Sequence, residues 1–294
     1  MLRIAIYGRN ITKENENTFL DLIHQLSQNN IEVFLHKKIS QKISAHLPEK
    51  LSHGTFNDNN DVISKKINYL ISIGGDGTLL DTTTIIRDSG IPIIGINTGR
   101  LGFLSSVSKE ETSLVVQSII NQSFNIDKRE LLHLDSSKPI FGNLNFGLNE
   151  CTVHKTDTSS MITIHTYIDG ELLNSYWSDG LIIATPTGST AYSLSCGGPV
   201  IYPSSKTFVI TPVAPHNLTV RPMIVPNDST ISLKIESRGG RFLCTLDSRY
   251  KTAETDIELT IRKADFAINL FRLKEKSFFN TIRNKLMWGA DQRN

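Results

Sequence analysis

The chain of 294 residues is expected to fold as an α/β amino-terminal domain on a parallel sheet, followed by a mostly-β domain. Three observations predict this. From Leu2 to about Leu104, short β-rich runs alternate with helical stretches, the order that builds a parallel sheet covered by helices. After about Ile126, runs of strand character follow one another with few helices between them. The length also exceeds what one small core requires and suits two medium domains. The expected division is residues 1–125, residues 126–275, and a closing helical segment at 276–294 that packs back on the first domain.

The amino-terminal strands are read at Leu2 to Tyr7, Ile31 to Leu35, Tyr69 to Ile73 and Ile91 to Ile96. Between the first two, Phe19, Leu22, Ile23 and Leu26 recur at helical spacing within Glu14 to Ser27. Further helices are expected at Leu79 to Arg87 and Thr112 to Ile120. The later strands are read at Leu144 to Val153, Met161 to Asp169, Gly180 to Thr185, Phe208 to Val213, Thr230 to Glu236, Arg241 to Leu246 and Ile257 to Arg262. Asp169-Gly170 signals a hairpin turn, because both residues tolerate positive φ. Phe278, Ile282 and Leu286, spaced by four, predict the closing amphipathic helix within Ser277 to Trp288.

Composition excludes several function classes. A net charge of +2 is too small for a commitment to nucleic acid or an anionic membrane surface. Cys151, Cys196 and Cys244 form no C-x-x-C pair and leave one thiol over in any disulfide scheme, so they are expected to be reduced in the cytoplasm. No apolar run approaches the roughly 20 residues that span a bilayer, and Met1 to Tyr7 reads as a strand rather than a leader. The scattered histidines show no H-E-x-x-H or close Cys/His spacing, which argues against a zinc site.

Three segments carry chemistry. Gly74-Gly75-Asp76-Gly77-Thr78 follows the third strand and precedes a helix. Glycines there let the backbone approach a ligand, and the helix start favours a phosphate. A carboxylate in such a loop suits binding of Mg²⁺ or acceptance of a proton from an attacking hydroxyl; the alternative is a turn with Asp76 as a helix cap. Gly95 to Leu104 leaves the next strand at the same edge of the sheet. Its glycines at 95, 99 and 102 do not spell G-x-G-x-x-G, and no G-x-x-x-x-G-K-[ST] occurs, so Rossmann and P-loop sites are disfavoured. Ser178 to Ser195 runs from a buried strand through Pro186 and Gly188 into a dense row of hydroxyls and a short helix whose start can hold an anion. A capping turn is the alternative for that row. Asn149-Glu150 offers an amide for an adenine edge and a carboxylate for ribose hydroxyls.

In this order and spacing, G-G-D-G-T at 74–78, G-x-N-x-G-x-x-G-F-L at 95–104, N-E at 149–150 and D-G-L-I-I-A-T-P-T-G-S-T-A-Y-S-L-S at 179–195 resemble the NAD kinase family. So do G-G-P at 197–199 and P-H-N-L-T-V-R-P at 215–222, and the resemblance runs from Leu2 to Trp288. It implies the two-domain architecture shared with diacylglycerol kinases, and ATP-dependent phosphorylation of the adenosine 2′-hydroxyl of NAD, with a divalent metal such as Mg²⁺ whose ligands it leaves open. Asp76 would be the catalytic carboxylate and Gly77 would contact ligand beside it. Asn149 and Glu150 would grip the adenosine, and Asp179, Thr190, Ala191, Tyr192 and Ser195 would line the dinucleotide site. A homodimer or homotetramer is implied, with Ala214 approaching a second subunit's site.

Two departures stand out: Trp177 where many relatives carry Arg, and Asp247-Ser248-Arg249 where D-x-Q is common, both expected near the substrate. Trp177 removes a charge and offers stacking, which bears on discrimination between NAD and NADH; a packing role is the alternative. His216 lacks a neighbouring nucleophile and reads as a loop side chain. Two rival functions remain, a lipid kinase of the diacylglycerol or sphingoid type and a non-catalytic dinucleotide sensor. Against the first stands the lack of an amphipathic basic helix for a membrane surface.

Overall fold

The computed structural model describes residues 1–43, 53–99, 102–156 and 160–289. The chain divides into two compact units, residues 1–128 with 268–294, and residues 129–267. The expected cut at 126 falls inside a strand, Phe124–Ser136.

The first unit runs β1 (Arg3–Tyr7), α1 (Lys13–Gln28), β2 (Glu32–His36), α2 (Lys37–Ile43), β3 (Gly54–Phe56), α3 (Asn59–Ser64), β4 (Tyr69–Ile73), α4 (Asp76–Ile86), β5 (Ile93–Asn97), β6 (Val107–Ser108) and α5 (Thr112–Ile120). The strands form a parallel sheet in the order β3-β2-β1-β4-β5, with β6 on β5. In α1, Phe19, Leu22, Ile23 and Leu26 are fully buried and join Ile4, Ile6, Ile71, Ile73, Ile94 and Ile96 in one core. That burial is what the helical spacing predicts. The chain moves outward from β1 to β2 and β3, then crosses to β4 and on to β5. The order therefore reverses between β1 and β4, and ligands of open parallel sheets bind beyond the strand ends at such a reversal.

The second unit continues from β7 (Phe124–Ser136) through β8 (Phe146–Gly147), β9 (Glu150–Lys155), β10 (Ile162–Ile168), β11 (Glu171–Ser178), β12 (Gly180–Ala184), the single-turn helix α6 (Tyr192–Ser195), β13 (Thr207–Val213), β14 (Met223–Pro226), β15 (Ile231–Glu236), β16 (Arg241–Leu246), β17 (Arg249–Glu254) and β18 (Leu259–Leu273). One antiparallel sheet has the order β14-β13-β12-β9-β16-β17, and β11, β10, β15 and β18 pair antiparallel within the other, 12-stranded sheet, which β18 links to β5. Residues from both sheets share one apolar core, including Val153, Ile164, Leu181, Ile183, Leu233 and Phe242. The other face of β12, Ile182 and Ala184, packs with Ile201 and Val209. Burial on both faces explains why Gly180 to Ala184 is continuously apolar rather than alternating. Asp169 and Gly170 both take positive φ between β10 and β11, as the turn signal predicts.

The strand expected at Leu144 to Val153 is broken into β8 and β9. The break lies at Leu148 and Asn149, whose amides are drawn to the Asp247 carboxylate instead of a ladder. After β18 the chain returns to the first unit, where Leu270 pairs with Ile93, Phe271 and Leu273 enter the core, and α7 (Phe278–Leu286) starts at Ser277, whose Oγ accepts from the Asn280 amide.

Candidate active site

In the first unit, Gly75 is the cap of α4 and Asp76 is its first residue. Asp76 therefore sits where the helix dipole favours negative charge, and the capping alternative does not describe it. Its half-buried carboxylate accepts three consecutive backbone amides. Oδ2 takes Phe103 N–H at 2.8 Å, and Oδ1 takes Leu104 at 3.1 Å and Ser105 at 2.8 Å. Gly102 closes the turn by donating to the Ser105 carbonyl at 3.2 Å. A Cβ at Gly102 would fall onto the Asp76 carboxylate, so this glycine is required by close approach. Arg100 and Leu101 of the same motif lie outside the described residues.

The loop after β1 contributes a cation that the motifs did not indicate. Arg9 binds Asp81 through Nε and Nη2, and Tyr7 donates to the same carboxylate at 3.2 Å. Burial, with the Asp81 charge next in weight, pushes the Tyr7 phenol up to about 12. Arg9 Nη1 stands 3.3 Å from where a Gly77 side chain would begin. The β1–β4 reversal thus carries a guanidinium, a helix start and a carboxylate. A sequence signal existed, since Gly8-Arg9 follows a parallel strand as Gly74-Gly75 does.

The Arg272 guanidinium, paired with Asp127 at 3.2 Å, donates to the Phe103 carbonyl at 3.3 Å. Lys285 of α7 stands 5.8 Å from the Phe103 ring centre. The turn that grips Asp76 is therefore fastened from the carboxyl-terminal segment.

In the second unit, the motif residues gather around β12 and its neighbour β9. Asn149 and Glu150 are each 8 % exposed. The Asn149 carbonyl accepts from Thr185 N–H at 2.8 Å, and Thr185 Oγ1 donates to the Leu148 carbonyl at 2.6 Å. Gly188 packs so closely on the Asn149 backbone that a Cβ would fall onto its carbonyl. Behind this turn, half-buried Asp247 accepts Leu148, Asn149 and Glu150 amides at 2.8, 2.7 and 3.1 Å. Asn149 Oδ1 and Glu150 Oε2 are buried without a hydrogen-bond partner. Burial, then the Asp247 charge, pushes the Glu150 carboxyl up to about 8.

Asp179 lies beyond the other end of β12, five residues from Ala184, which pairs with Glu150, or roughly 17 Å at about 3.4 Å per residue. It pairs with Lys155 at 2.6 Å, and its amide donates to the Val213 carbonyl at 3.0 Å. Exposed Ala214 follows directly, with φ of 45°. Tyr192 stacks on His154, ring centres 5.6 Å apart. Burial holds that imidazole below its usual value, so it is neutral near pH 7. Trp177 is 51 % exposed and lies against His216 with centres 4.3 Å apart.

The row of hydroxyls differs from expectation. Ser189 donates to the Pro186 carbonyl at 2.7 Å, Thr190 to Thr187 at 3.2 Å, Ser193 pairs with Thr211 at 2.8 Å, and Arg129 donates to Thr187 Oγ1 at 3.1 Å. Most of the row holds its own turn, as Ser and Thr side chains do in local motifs. Ser195 is exposed and Thr190 and Ala191 are half-buried. The helix read after the row is one turn, Tyr192–Ser195, too short to align the dipoles an anion site needs. Arg249 donates to the Leu144 and Phe146 carbonyls and lies against the Phe141 and Phe146 rings, bracing the chain before Asn149.

Residues 4–124 match the model of the ATP-NAD kinase N-terminal domain, and residues 148–273 match that of the ATP-NAD kinase C-terminal domain. The chain belongs to the ATP-NAD kinase family. It is 45 % identical to the NAD kinase of Cytophaga hutchinsonii over 99 % of both chains, and 45 % identical to that of Flavobacterium psychrophilum over the whole of both. In fold it is similar to yeast NADH kinase complexed with NADH, with a TM-score of 0.88 at 23 % identity, covering 99 % of this chain and 89 % of that one. Family membership removes the lipid-kinase rival.

Proposed function

We propose that the protein transfers the terminal phosphoryl group of ATP to the 2′-hydroxyl of the adenosine ribose of NAD, giving NADP. The observation that carries this reading is Asp76, held by three amides at the reversal point of the parallel sheet, in a chain both of whose halves match the ATP-NAD kinase models.

A ribose hydroxyl is a weak nucleophile, so a base that takes its proton contributes directly to the rate. Oδ2 of Asp76 accepts one amide and retains a lone pair for that proton, while Oδ1 accepts two. The start of α4 and the Arg9 guanidinium, seated by Asp81, meet the donor phosphates. Among the described residues no cluster of three or more acidic, His or Cys side chains could cage a metal. That donor set fits Mg²⁺ carried on nucleotide phosphates and water with one or two carboxylates, where it would neutralise phosphate charge. Asn149 and Glu150 hold the adenosine; Asp179, anchored by Lys155, and Tyr192, on its His154 platform, line the rest with Thr190, Ala191 and Ser195. Ala214 serves a second copy, in a homodimer or homotetramer.

We assign Trp177 to the acceptor face, where its exposed ring influences the choice between NAD and NADH; Trp177→Arg should change the ratio of kcat/KM for the two. We also assign the protein to the cytoplasm without membrane or nucleic-acid partners; no helix among the described residues is long and apolar enough to cross a membrane, and the described cysteines are free thiols. The test is direct: purified protein with Mg²⁺, ATP and NAD should yield 2′-phosphorylated dinucleotide. Binding of NAD without any product would establish the sensor reading instead.

A further inference from the structure

Asn149 and Glu150 are presented by a turn that owes its shape to Asp247. Asp247 occupies the β16–β17 turn with φ of 52°, accepts three successive amides from Leu148 to Glu150, and returns its own amide to the Glu150 carbonyl at 3.0 Å. The buried carboxyl of Glu150 is thereby brought beside that of Asp247. Three N–H donors aimed at the two Asp247 oxygens stabilise an anion. Glu150 Oε2 receives no donor at all. An ionised Glu150 would be a buried charge beside a like charge, the arrangement in which one carboxyl keeps its proton.

We propose that Asp247 is a positioning residue that keeps Glu150 as a neutral carboxylic acid, so that Glu150 donates a hydrogen bond to an acceptor oxygen or ring nitrogen of the adenosine while Asn149 Oδ1 accepts one from it. This rests on the dinucleotide reading above and revises it. A carboxylate could only accept from ribose hydroxyls, whereas the acid both donates and accepts. The upward displacement of Glu150 to about 8 agrees. Asp247 is displaced upward too by burial, but its amides and Arg249 oppose this, so the proton is assigned to Glu150. Other ionisable groups packed against the turn leave that assignment in place. The Cys151 thiol, hydrogen-bonded to the Cys244 thiol and buried, is held well above its ordinary value and stays neutral. Arg249 is engaged with backbone carbonyls and acts on Asp247, and Arg129 is committed to Thr187 in the adjoining turn.

The experiment has two independent readouts. Binding of NAD, which has no titrating group near pH 8, is measured calorimetrically from pH 6.5 to 9 on wild type, Glu150→Gln and Asp247→Asn. Wild-type Kd should rise about tenfold between pH 7 and pH 9, because only the acid form binds. Glu150→Gln should show no such rise, whatever its absolute affinity. Asp247→Asn should move the midpoint to lower pH, whereas a merely structural Asp247 would weaken binding at every pH without moving it. Asn accepts positive φ, so the turn survives the change. The second readout needs no ligand. Folded Glu150 retains a proton that unfolded Glu150 loses near its ordinary value, so wild-type stability must fall as pH rises toward about 8. The Tm of wild type relative to Glu150→Gln should therefore drop between pH 5 and pH 8. A pH-independent Tm difference together with a flat wild-type Kd overturns the proposal. A Tm difference that drops while NAD fails to bind at any pH leaves the neutral acid standing and overturns the dinucleotide reading.

Discussion

Each unit uses a carboxylate to gather three consecutive amides of a glycine-flanked turn, yet the two clamps serve opposite ends. Asp76 is half-buried at the start of α4 and takes Phe103, Leu104 and Ser105, so here the clamp itself is the group proposed to act as base. Asp247, also half-buried, takes Leu148, Asn149 and Glu150, so it lies behind the turn that carries the buried Asn149 and Glu150 proposed to meet the ligand. The difference lies in the neighbour: Glu150 is buried without a donor to its Oε2 beside the Asp247 carboxylate, and a like charge disfavours ionisation of a buried carboxyl. On the proposed reading, one device yields a base at Asp76 and a neutral acid at Glu150.

The comparison breaks first at Asp76. Asp76→Asn should lower turnover by about 10²- to 10⁴-fold, the range for a lost general base, with NAD affinity changed little. It also places an amide NH₂ among N–H donors, so the Phe103–Ser105 amides should lose protection in hydrogen exchange. Near-normal turnover would make Asp76 a loop anchor only. Gly102→Ala tests the clamp without touching the carboxylate: the added methyl displaces it, and a misplacement of about 1 Å costs roughly 10²-fold. An unchanged kcat would show that the Asp76 geometry is not used. Asp247→Asn should act differently, raising KM for NAD more than it lowers kcat and costing about 1–3 kcal/mol of stability for one weakened buried bond, read as a Tm lower by several degrees. A loss in kcat equal to that of Asp76→Asn would erase the distinction between the two clamps. Arg249→Gln should have the smallest effect, about 1 kcal/mol from bonds to the Leu144 and Phe146 carbonyls, seen in Tm with kcat nearly unchanged.

Much of this arrangement could be read from residues alone. The parallel strands and α1 follow from apolar periodicity, which local sequence records directly. The G-G-D-G-T, N-E and G-S-T-A-Y segments stand out because glycine and hydroxyl chemistry is local as well. Asp247 could not be recognised as a clamp, since its partners lie 97–99 residues away and nothing beside it signals three waiting amides. The break between β8 and β9 escaped for the same reason, because the acceptor that interrupts the ladder comes from β16–β17. Density of Ser and Thr misled in the opposite direction: those hydroxyls bond their own turn, and counting them could not reveal it.

The first unit is assembled from two separated stretches of chain, 1–128 and 268–294, whereas the second is continuous. On the ribosome, then, Ile93 waits for Leu270, Phe124 for Phe271 and Phe103 for Arg272 until the whole of the second unit has emerged. Because domains generally fold as units during synthesis, the β-rich half is positioned to finish first even though it is made later. A nascent chain released before residue 268 would then carry a complete second unit and an amino-terminal sheet in which Ile93 still lacks Leu270.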